Sequence, residues 1–406
     1  MPNLWSPFGR VCFSMCVGVM GTALASPLYP LYQELWHLKP SDITAIFTVY
    51  MFGALGSLLF LGRLTNRFGF LPILRAGLIL VTLGVLLSML AWNTAAFIAS
   101  RLAIGLASGM ITTSASIGLT QLDKRGDMKR TALVTTFAMT LGFGLGPLVG
   151  GLIAQWAPAP LRSAYLPSLL LGLVAIHALF RLRLPDAAPV ATQSAAQAPG
   201  RGLAQWLPSL TLPPRALRRP FWIGCMGAFS AFGMFSLYAS LAPSFMRDIL
   251  PWHGPALSGM SISVILFLSS SVQLLARRVR NKTSAVRGLG ALALCNLLLI
   301  LTTYAESTPL FMLSVLTTAF GHGLTNLAGM SLVGKIATPG SRAGLLSSYL
   351  IVGYLGTIVP ILGIGWLSDH VGLHNAIVVF CAVMALLTGG LAAAAHATPE
   401  VKPQAA

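Results

Sequence analysis

Residues 142–151 read Gly-Phe-Gly-Leu-Gly-Pro-Leu-Val-Gly-Gly, and this stretch predicts the fold of the chain. It lies inside an apolar run that extends from Ala132 to Ala154. In water, five glycines and a proline within ten residues would oppose a helix. In lipid the backbone must satisfy its own hydrogen bonds, so we predict a membrane helix that Pro147 bends. A glycine recurs at every fourth residue, which leaves a bare stripe for a neighbouring helix: Gly142, Gly146 and Gly150.

The composition of the whole chain agrees with a membrane protein. Hydrophobic residues make up 55% of the sequence and charged residues only 9%, and the mean hydropathy is +0.79. A soluble protein of this length could not bury so much apolar side chain. The composition therefore predicts an all-α, polytopic membrane protein.

Twelve apolar runs are long enough to cross a bilayer, which requires about 20 residues each. The first six predicted spans are Val11–Leu31, Thr44–Leu61, Ala76–Trp92, Ala95–Leu119, Ala132–Ala154 and Ala164–Phe180. The second six are Phe221–Phe245, Leu257–Leu275, Gly288–Tyr304, Pro309–Val333, Ala343–Trp366 and Asn375–Ala394. A cleaved signal peptide ending near Ala25 is the alternative for the first run. The apolar character continues to Leu31, however, which favours a retained span.

The net charge of +17 is distributed unevenly along the chain. Of the 26 lysines and arginines, 22 fall in alternate segments between the spans, on one predicted side of the membrane. By the positive-inside rule, both termini are predicted to be cytoplasmic and the protein to lie in the cell (inner) membrane. The charge therefore predicts contact with a lipid bilayer and gives no reason to expect nucleic acid. The cysteines all lie in apolar runs and are read as buried small residues rather than metal ligands.

The chain has two related halves. Pro360-x-x-Gly363 repeats Pro147-x-x-Gly150 at an offset of 213 residues, and other short matches follow in order at similar offsets. We predict an N-terminal six-helix bundle at residues 1–184 and a C-terminal six-helix bundle at residues 220–406. Residues 185–219, rich in Ala, Pro, Gln and Gly, read as a cytoplasmic linker.

Three motifs together resemble those of the major facilitator superfamily, and the resemblance covers nearly the whole chain. Residues 62–69, Gly-Arg-Leu-Thr-Asn-Arg-Phe-Gly, are similar to the signature between spans two and three, with Gly62, Asn66, Arg67 and Gly69 at its marked positions. Arg101 and Gly105 resemble the Arg-x-x-x-Gly signature of span four. Residues 142–151, with Gly142, Gly146, Pro147, Gly150 and Gly151, match a motif of proton-linked drug and metabolite exporters. The resemblance implies two pseudo-symmetric bundles.

One position departs from the family pattern. Asn66 stands where the family has an aspartate that helps to latch the cytoplasmic ends of the two halves together. Asparagine offers no charge to a cation, so this gate is expected to be weaker. As a hypothesis, Asp123 near the inner end of span four pairs with Arg67 instead.

Arg101 is the one charged residue inside a confidently placed span. An arginine near mid-membrane costs about 2.5–3.5 kcal/mol on insertion scales, so it must face protein or water. We interpret it as a residue that binds an anionic or polar substrate or biases a nearby proton site. The alternative is that it braces spans by bonding carbonyls and hydroxyls.

The candidates for proton coupling are few, because all nine carboxylates lie at span ends or in loops. His322 lies midway along span ten, and an imidazole titrates near neutral pH. Glu34, near the predicted outer mouth, and Arg101 are the remaining candidates. The alternative for His322 is a neutral ring bonded to a backbone carbonyl.

Polar and aromatic residues in several spans are predicted to line a substrate cavity: Tyr29, Tyr32, Tyr50, Tyr238, His322 and Asn326, with Arg101. Rings and methyl groups with few fixed polar groups suit an amphipathic organic molecule. Ordinary helix packing is the alternative for each tyrosine. Pro27 and Pro30 are predicted to bend span one near this site.

These features predict a secondary transporter that works by alternating access, without a cofactor, a catalytic residue or a metal site. Proton-coupled efflux of a small amphipathic compound ranks first, and uptake of an organic anion through Arg101 second. A non-transporting scaffold is the rival class. Enzyme motifs and a phosphate-binding loop are absent from the sequence, which argues against an enzyme and against direct use of ATP. The transporter is expected to act as a monomer.

Overall fold

A computed structural model describes residues 6–61, 64–123, 126–182, 210–338 and 341–401. Within these ranges the chain is helical and contains no strand. The first nine helices are α1 (Pro7–Ala23), α2 (Tyr29–Trp36), α3 (Pro40–Phe60), α4 (Leu64–Phe68), α5 (Phe70–Leu90), α6 (Thr94–Leu122), α7 (Met128–Trp156), α8 (Pro160–Ser163) and α9 (Leu166–Phe180). The remaining seven are α10 (Arg215–Ser240), α11 (Ala242–Ile249), α12 (Pro255–Leu275), α13 (Asn281–Ala305), α14 (Thr308–Ile336), α15 (Arg342–Val371) and α16 (Leu373–Ala397).

Twelve helical segments are long and apolar enough to cross a membrane, which confirms the predicted count. The first segment is a broken one, formed by α1 and α2. Helix α7 continues through Pro147 without interruption, as the prediction for residues 142–151 requires. All five cysteines are free, and three of them are buried.

Several spans extend beyond the apolar runs that predicted them. Helix α5 begins at Phe70 rather than near Ala76 and therefore includes Arg75. The Arg75 guanidinium donates hydrogen bonds to the carbonyl oxygens of Leu179 (2.8 Å) and Leu182 (3.0 Å). Because these bonds satisfy the charge, it does not end the helix. Helix α13 likewise begins at Asn281, with its basic first turns ahead of the apolar run.

The described chain divides into two compact units. Unit 1 contains residues 1–22, 52–143 and 165–208, and unit 2 contains residues 23–51, 144–164 and 209–406. In unit 1, α5 packs along α6 and α9. In unit 2, the extensive pairs are α13 with α14, α13 with α16, and α10 with α15. Most of the predicted linker lies outside the described residues, and α10 already begins at Arg215.

Glycines set how closely the helices of each unit approach. In unit 1, a methyl group on Gly142 would overlap the carbonyl oxygen of Cys16, so α1 and α7 touch through their backbones. In unit 2, a methyl group on Gly150 would contact Leu24 at 3.0 Å. The stripe predicted on this helix therefore does face a close neighbour, the first membrane span.

Candidate functional site

The predicted substrate residues fall into two groups, one in each unit. Arg101 lies in unit 1, whereas the four tyrosines, His322 and Asn326 lie in unit 2. Within each group the contacts separate residues that brace helices from residues that offer polar atoms to a ligand. The two groups are therefore described in turn.

Arg101 is completely buried in α6. Its Nη1 donates a hydrogen bond to the carbonyl oxygen of Thr22 at 3.0 Å. Thr22 lies in the last turn of α1, where the carbonyl groups have no partner within the helix and carry partial negative charge. A guanidinium is well suited to this position because it is always charged and offers five donors. One contact of Arg101 is thus the bracing interaction that the sequence left open.

The first membrane span is interrupted next to this contact. Helix α1 ends at Ala23, a 3₁₀ turn occupies Ser26–Leu28, and α2 starts at Tyr29. Pro27 lacks a donor N–H and fixes its φ angle, which favours a tight turn over a continuous helix. The predicted bend is confirmed. Arg101 stabilises the end of the helix that precedes the break.

In unit 2, His322 is the centre of a buried polar cluster. Its Nδ1 lies 2.7 Å from Ser269 Oγ, and Asn326 Nδ2 lies 3.0 Å from its Nε2. Gln273 Nε2 also donates to Ser269 Oγ at 3.4 Å. Because Asn326 Nδ2 donates to Nε2, the ring proton belongs on Nδ1, where it points at Ser269. These contacts correspond to a neutral imidazole held by two helices, α12 and α14.

One atom of this cluster has no partner. Asn326 Oδ1 is buried and makes no hydrogen bond to any residue that the structure describes. A buried carbonyl oxygen without a partner costs about 1–3 kcal/mol. It is therefore available to accept a hydrogen bond from a ligand.

Aromatic rings from α10 lie against the imidazole. The ring centroids of Phe232 and Phe235 are 6.1 Å and 6.0 Å from that of His322. Tyr354 of α15 packs edge-on against Phe232 at 6.1 Å. We refer to Ser269, His322, Asn326, Phe232 and Phe235 as the histidine cluster. It presents a small polar centre beside flat apolar surfaces.

The sequence identified only part of the histidine cluster. His322 and Asn326 are one turn apart on α14, as their spacing of four residues predicts. Ser269, Phe232 and Phe235 were missed. The run Ser269-Ser270-Ser271 within an apolar helix was a usable signal, but no pattern marks which phenylalanines face a histidine on another helix.

The predicted tyrosines are buried, and the contacts shown for two of them are with protein. Tyr238 OH lies 2.9 Å from Ser314 Oγ, and Thr318 Oγ1 donates to it at 3.2 Å. Tyr32 stacks on Trp36 with ring centroids 4.9 Å apart. Tyr29 and Tyr50 are also buried. Such contacts support helix packing, and a role of these tyrosines in substrate binding stays a prediction.

Glu34 lies in an exposed ion pair. Its carboxylate is 3.2 Å from Arg247 Nη1, and its side chain is 64% exposed. Arg247 also donates to the carbonyl oxygen of Pro30 at 3.2 Å. These contacts join α2 to α11 and favour a structural role for Glu34 over the predicted role in proton coupling.

Three helix pairs of unit 2 meet at the predicted outer ends of the spans. Gln33 of α2 accepts a hydrogen bond from Ser244 of α11. The backbone N–H of Ser41 donates to Asp369 of α15 at 3.2 Å. Ser263 of α12 donates to the carbonyl oxygen of Gly144 at 2.6 Å. We refer to these three pairs as the outer contacts.

The third pair is the tightest, because glycines lie on both helices. A methyl group on Gly151 would overlap the carbonyl oxygen of Pro255, and one on Gly259 would overlap that of Pro147. Gly144 faces the ring of Phe267. Residues 142–151 therefore carry two glycine faces. The first packs on the first span as predicted, and the second, on α12, was not recognised in the sequence.

The remaining motif residues are only partly described. Gly62 and the side chain of Asn66 lie outside the described part of the structure. The Arg67 guanidinium lies over the ring of Phe68 at 5.4 Å. Gly69 has a φ angle of +81°, a left-handed conformation that favours glycine.

Asp123 has a different partner from the one suggested. It forms an ion pair with Arg130 at 3.3 Å and accepts a hydrogen bond from Thr131. The structure thus pairs Asp123 within its own turn, between α6 and α7, rather than with Arg67. The suggestion failed because Arg130 is only seven residues away, and a local turn positions it beside the carboxylate.

Two further motif positions lie within helices. Gly105 of α6 is buried where Gly53 of α3 approaches, since a methyl group on Gly53 would lie 3.2 Å from the Gly105 carbonyl carbon. Pro360 lies inside α15. Among the described residues, no group of three histidine, cysteine, aspartate or glutamate side chains is arranged to hold a metal ion.

Comparisons with known proteins agree with this architecture. Residues 11–361 match the family model of the Major Facilitator Superfamily. Two similar curated proteins, both from Bacillus subtilis, are the multidrug efflux protein YfmO, 26% identical over 141 residues, and multidrug resistance protein 2, 25% identical over 138 residues. The alignments cover 35% and 34% of each partner. The chain thus spans about a third of the length of the curated relatives it matches.

Solved structures of transporters share the fold. A bacterial homologue of the human lysosomal transporter Spinster superposes with a TM-score of 0.72 at 13% identity and covers 98% of both chains. The nucleoside transporter NupG superposes with a TM-score of 0.74 at 16% identity and covers 97% of this chain and 100% of its own. At these identities the likeness concerns the fold alone. Since the family model matches most of its length and twelve spans cross the membrane, the chain belongs to the major facilitator superfamily of membrane transporters.

Proposed function

We propose that this transporter works by alternating access and exports a small amphipathic organic compound. The histidine cluster is the observation that carries the proposal. It combines a buried imidazole, a hydroxyl and an amide with two phenylalanine rings. Sites for small molecules are mostly apolar and contain a few fixed polar groups that orient the ligand.

The polar atoms of the cluster indicate which substrates suit it. Asn326 Oδ1 is an acceptor without a partner among the described residues, so a hydroxyl, amide or amine hydrogen on the substrate would satisfy it. The phenylalanine rings favour an aromatic or aliphatic body beside that donor. Export is supported by the two Bacillus subtilis relatives, whose names describe multidrug efflux and multidrug resistance.

The outer contacts support the mechanism. Alternating access requires that the two halves meet at one end of the site while the other end opens. Helices α2, α3 and α7 belong to the predicted N-terminal half, and their contacts with α11, α15 and α12 are of the kind that closes the outer side. We place both termini in the cytoplasm of a cell membrane protein, because 22 of 26 basic residues are predicted on that side.

Proton coupling is the finer part of the proposal. His322 is suited to bind a proton because its Nε2 accepts a hydrogen bond and can be protonated if Asn326 turns its carbonyl oxygen towards it. Glu34 is less suited because it is exposed and already paired with Arg247. Protonation of His322 would thus change the hydrogen bonding of the residue that meets the substrate. We expect the monomer to be sufficient for this cycle.

A second candidate function is uptake of a small organic anion at Arg101. The observation in its favour is a fully buried guanidinium beside a broken helix. The hydrogen bond of Arg101 to Thr22 ranks it second, because that contact already gives the charge a structural role. The two candidates differ in the direction of flux and in the charge of the substrate.

Transport by purified protein in lipid vesicles tests the proposal. A panel of cationic, neutral and anionic amphiphiles is measured with and without a pH gradient. We expect accelerated flux of neutral or cationic compounds under the gradient, and a loss of about 10-fold or more in His322→Ala and Asn326→Ala, the equivalent of at least 1.4 kcal/mol. His177→Ala is the matched control, because this imidazole is exposed on α9.

Three results would contradict the export proposal. The first is unchanged flux in both cluster variants. The second is flux of anions alone, lost in Arg101→Ala, which would establish the second candidate. The third is an equal loss in His177→Ala, which would show that the effect does not come from the cluster.

A further inference from the structure

A second pocket lies in unit 2, at the predicted cytoplasmic ends of α10, α13, α14 and α16. We refer to it as the inner pocket. It encloses about 70 Å³ and opens to the surface, and residues of the histidine cluster do not line it. Six of its lining residues carry the inference: Gly224, Gly227, Lys282, Thr325, Gly329 and Glu400.

The deep wall of the inner pocket is apolar and made of glycines. Gly224 and Gly227 lie on α10 and Gly329 on α14, so the backbones themselves form the floor. A methyl group on Gly224 would meet only Leu332 at 3.2 Å and the Cα of Gly329 at 3.7 Å. This space would close if larger side chains were present.

One polar group in this wall has no partner. Thr325 is 97% buried, and its Oγ1 makes no hydrogen bond to any described residue. It lies close to Gly288 of α13, six residues beyond Lys282, which corresponds to about 9 Å along the helix. The pocket therefore offers a hydroxyl below a cationic entrance.

The entrance carries charge of both signs. Lys282 is the second residue of α13, whose first amide groups receive no side-chain cap from Arg280. The ammonium group and these amides together favour an anion. Glu400 follows the end of α16 and lines the same entrance. Val401, the next residue, packs on the hydrophobic cluster around Phe221 and Tyr349.

We propose that the inner pocket binds an anionic phospholipid at the junction of its head group and its acyl chains. The phosphate lies against Lys282 and the start of α13, an ester oxygen accepts from Thr325, and the chains leave over the apolar surfaces of the helices. The volume favours this occupant, because a drug-sized molecule needs about 300–1,000 Å³. Glu400 competes with the phosphate for Lys282, so lipid binding and the position of residues 398–401 are coupled.

The test uses the full-length protein in a neutral detergent and measures its unfolding temperature. Dioleoyl phosphatidylglycerol is the anionic probe, and dioleoyl phosphatidylcholine is the zwitterionic control at equal mole ratio. We expect the anionic lipid to raise the unfolding temperature by about 3 °C or more and the zwitterionic lipid to raise it much less. Inorganic phosphate is added alone to separate a lipid site from a site for any phosphate ion.

Paired variants assign the effect to the pocket. Lys282→Gln should remove most of the shift, whereas Arg287→Gln, which removes an exposed charge elsewhere on α13, should keep it. Gly224→Leu should fill the floor and abolish the shift, whereas Gly290→Leu, where the backbone faces open space, should keep it. Glu400→Gln should increase the shift.

The proposal is overturned by an equal response to both lipids, by an equal shift with phosphate alone, or by a full shift in Lys282→Gln. The Lys282 pair decides the outcome even if Gly224→Leu fails to fold. Transport by the histidine cluster is not required for any of these measurements, so the inference stands or falls independently of the proposed function.

Discussion

The two halves of the chain repeat one tetrapeptide, Pro-x-x-Gly, but they use it differently. In α7, Gly150 packs on Leu24, and the adjacent Gly151 meets the backbone of α12. In α15, Gly363 faces open space. The close approaches of α15 lie on either side of it, at Gly356 against Phe229 and at Gly365 against Thr44.

This difference separates two uses of glycine in membrane helices. Gly151 and Gly365 lie at contacts between the predicted halves, which must part during alternating access. Gly356 lies inside the C-terminal half, where α10 and α15 stay together. A single methyl group at each position therefore tests whether a contact moves or only holds the fold.

The largest effect is expected for Gly151→Ala. The added methyl group overlaps the carbonyl oxygen of Pro255, so it should destabilise the closed outer side by about 1–3 kcal/mol and lower its population roughly 5- to 150-fold. Vesicle transport should fall accordingly. Ser244→Cys in a background without native cysteines, labelled from outside by an impermeant maleimide, should become more reactive. Unchanged labelling would refute a moving contact at this position.

Gly356→Ala should act on stability. Its methyl group overlaps the backbone of Phe229 within one half, at a cost of about 1–3 kcal/mol, which lowers the unfolding temperature by about 2–10 °C. Outside labelling of Ser244→Cys should not change in this variant. If Gly356→Ala raised the labelling as Gly151→Ala does, the distinction between the two helices would be wrong.

Glu34→Gln should have a small effect. An exposed ion pair contributes about 0.2–1 kcal/mol, so transport should change by less than about 5-fold, with an unaltered pH profile. Glu306→Gln, which replaces an exposed carboxylate after α13, is the control. A lost pH dependence in Glu34→Gln alone would make Glu34 the proton carrier instead of His322.

Gly363→Ala should change neither transport nor labelling. The methyl group meets no atom within 4 Å, and alanine favours the helix by about 0.5–1 kcal/mol. The unfolding temperature should stay the same or rise slightly. A loss of transport would mean that the repeat motif has a function in α15 that its contacts do not reveal.

The sequence was sufficient for the fold because span count depends on local composition. Long apolar runs, alternate basic segments and the glycine stripe of residues 142–151 each report on one stretch of chain. Pro27 likewise predicted the break in the first span, since proline acts on its own backbone.

The sites were harder to predict because they depend on partners distant in the sequence. Nothing near Arg101 shows that its guanidinium binds a carbonyl oxygen 79 residues earlier. Ser269 and His322 are 53 residues apart. The second glycine face of α7 became visible only with Gly259 of α12 beside it. Asp123 was misassigned for the opposite reason, because a near neighbour, Arg130, satisfied it first.

One measurement tests alternating access most directly. Gln33→Cys and Ser244→Cys replace a hydrogen-bonded pair of the outer contacts, and a short bifunctional thiol reagent joins them in a background without native cysteines. If the outer side must open in each cycle, cross-linked protein in vesicles should lose transport, and a cleavable reagent should restore it on reduction. Transport at the uncross-linked rate in fully cross-linked protein would contradict the account.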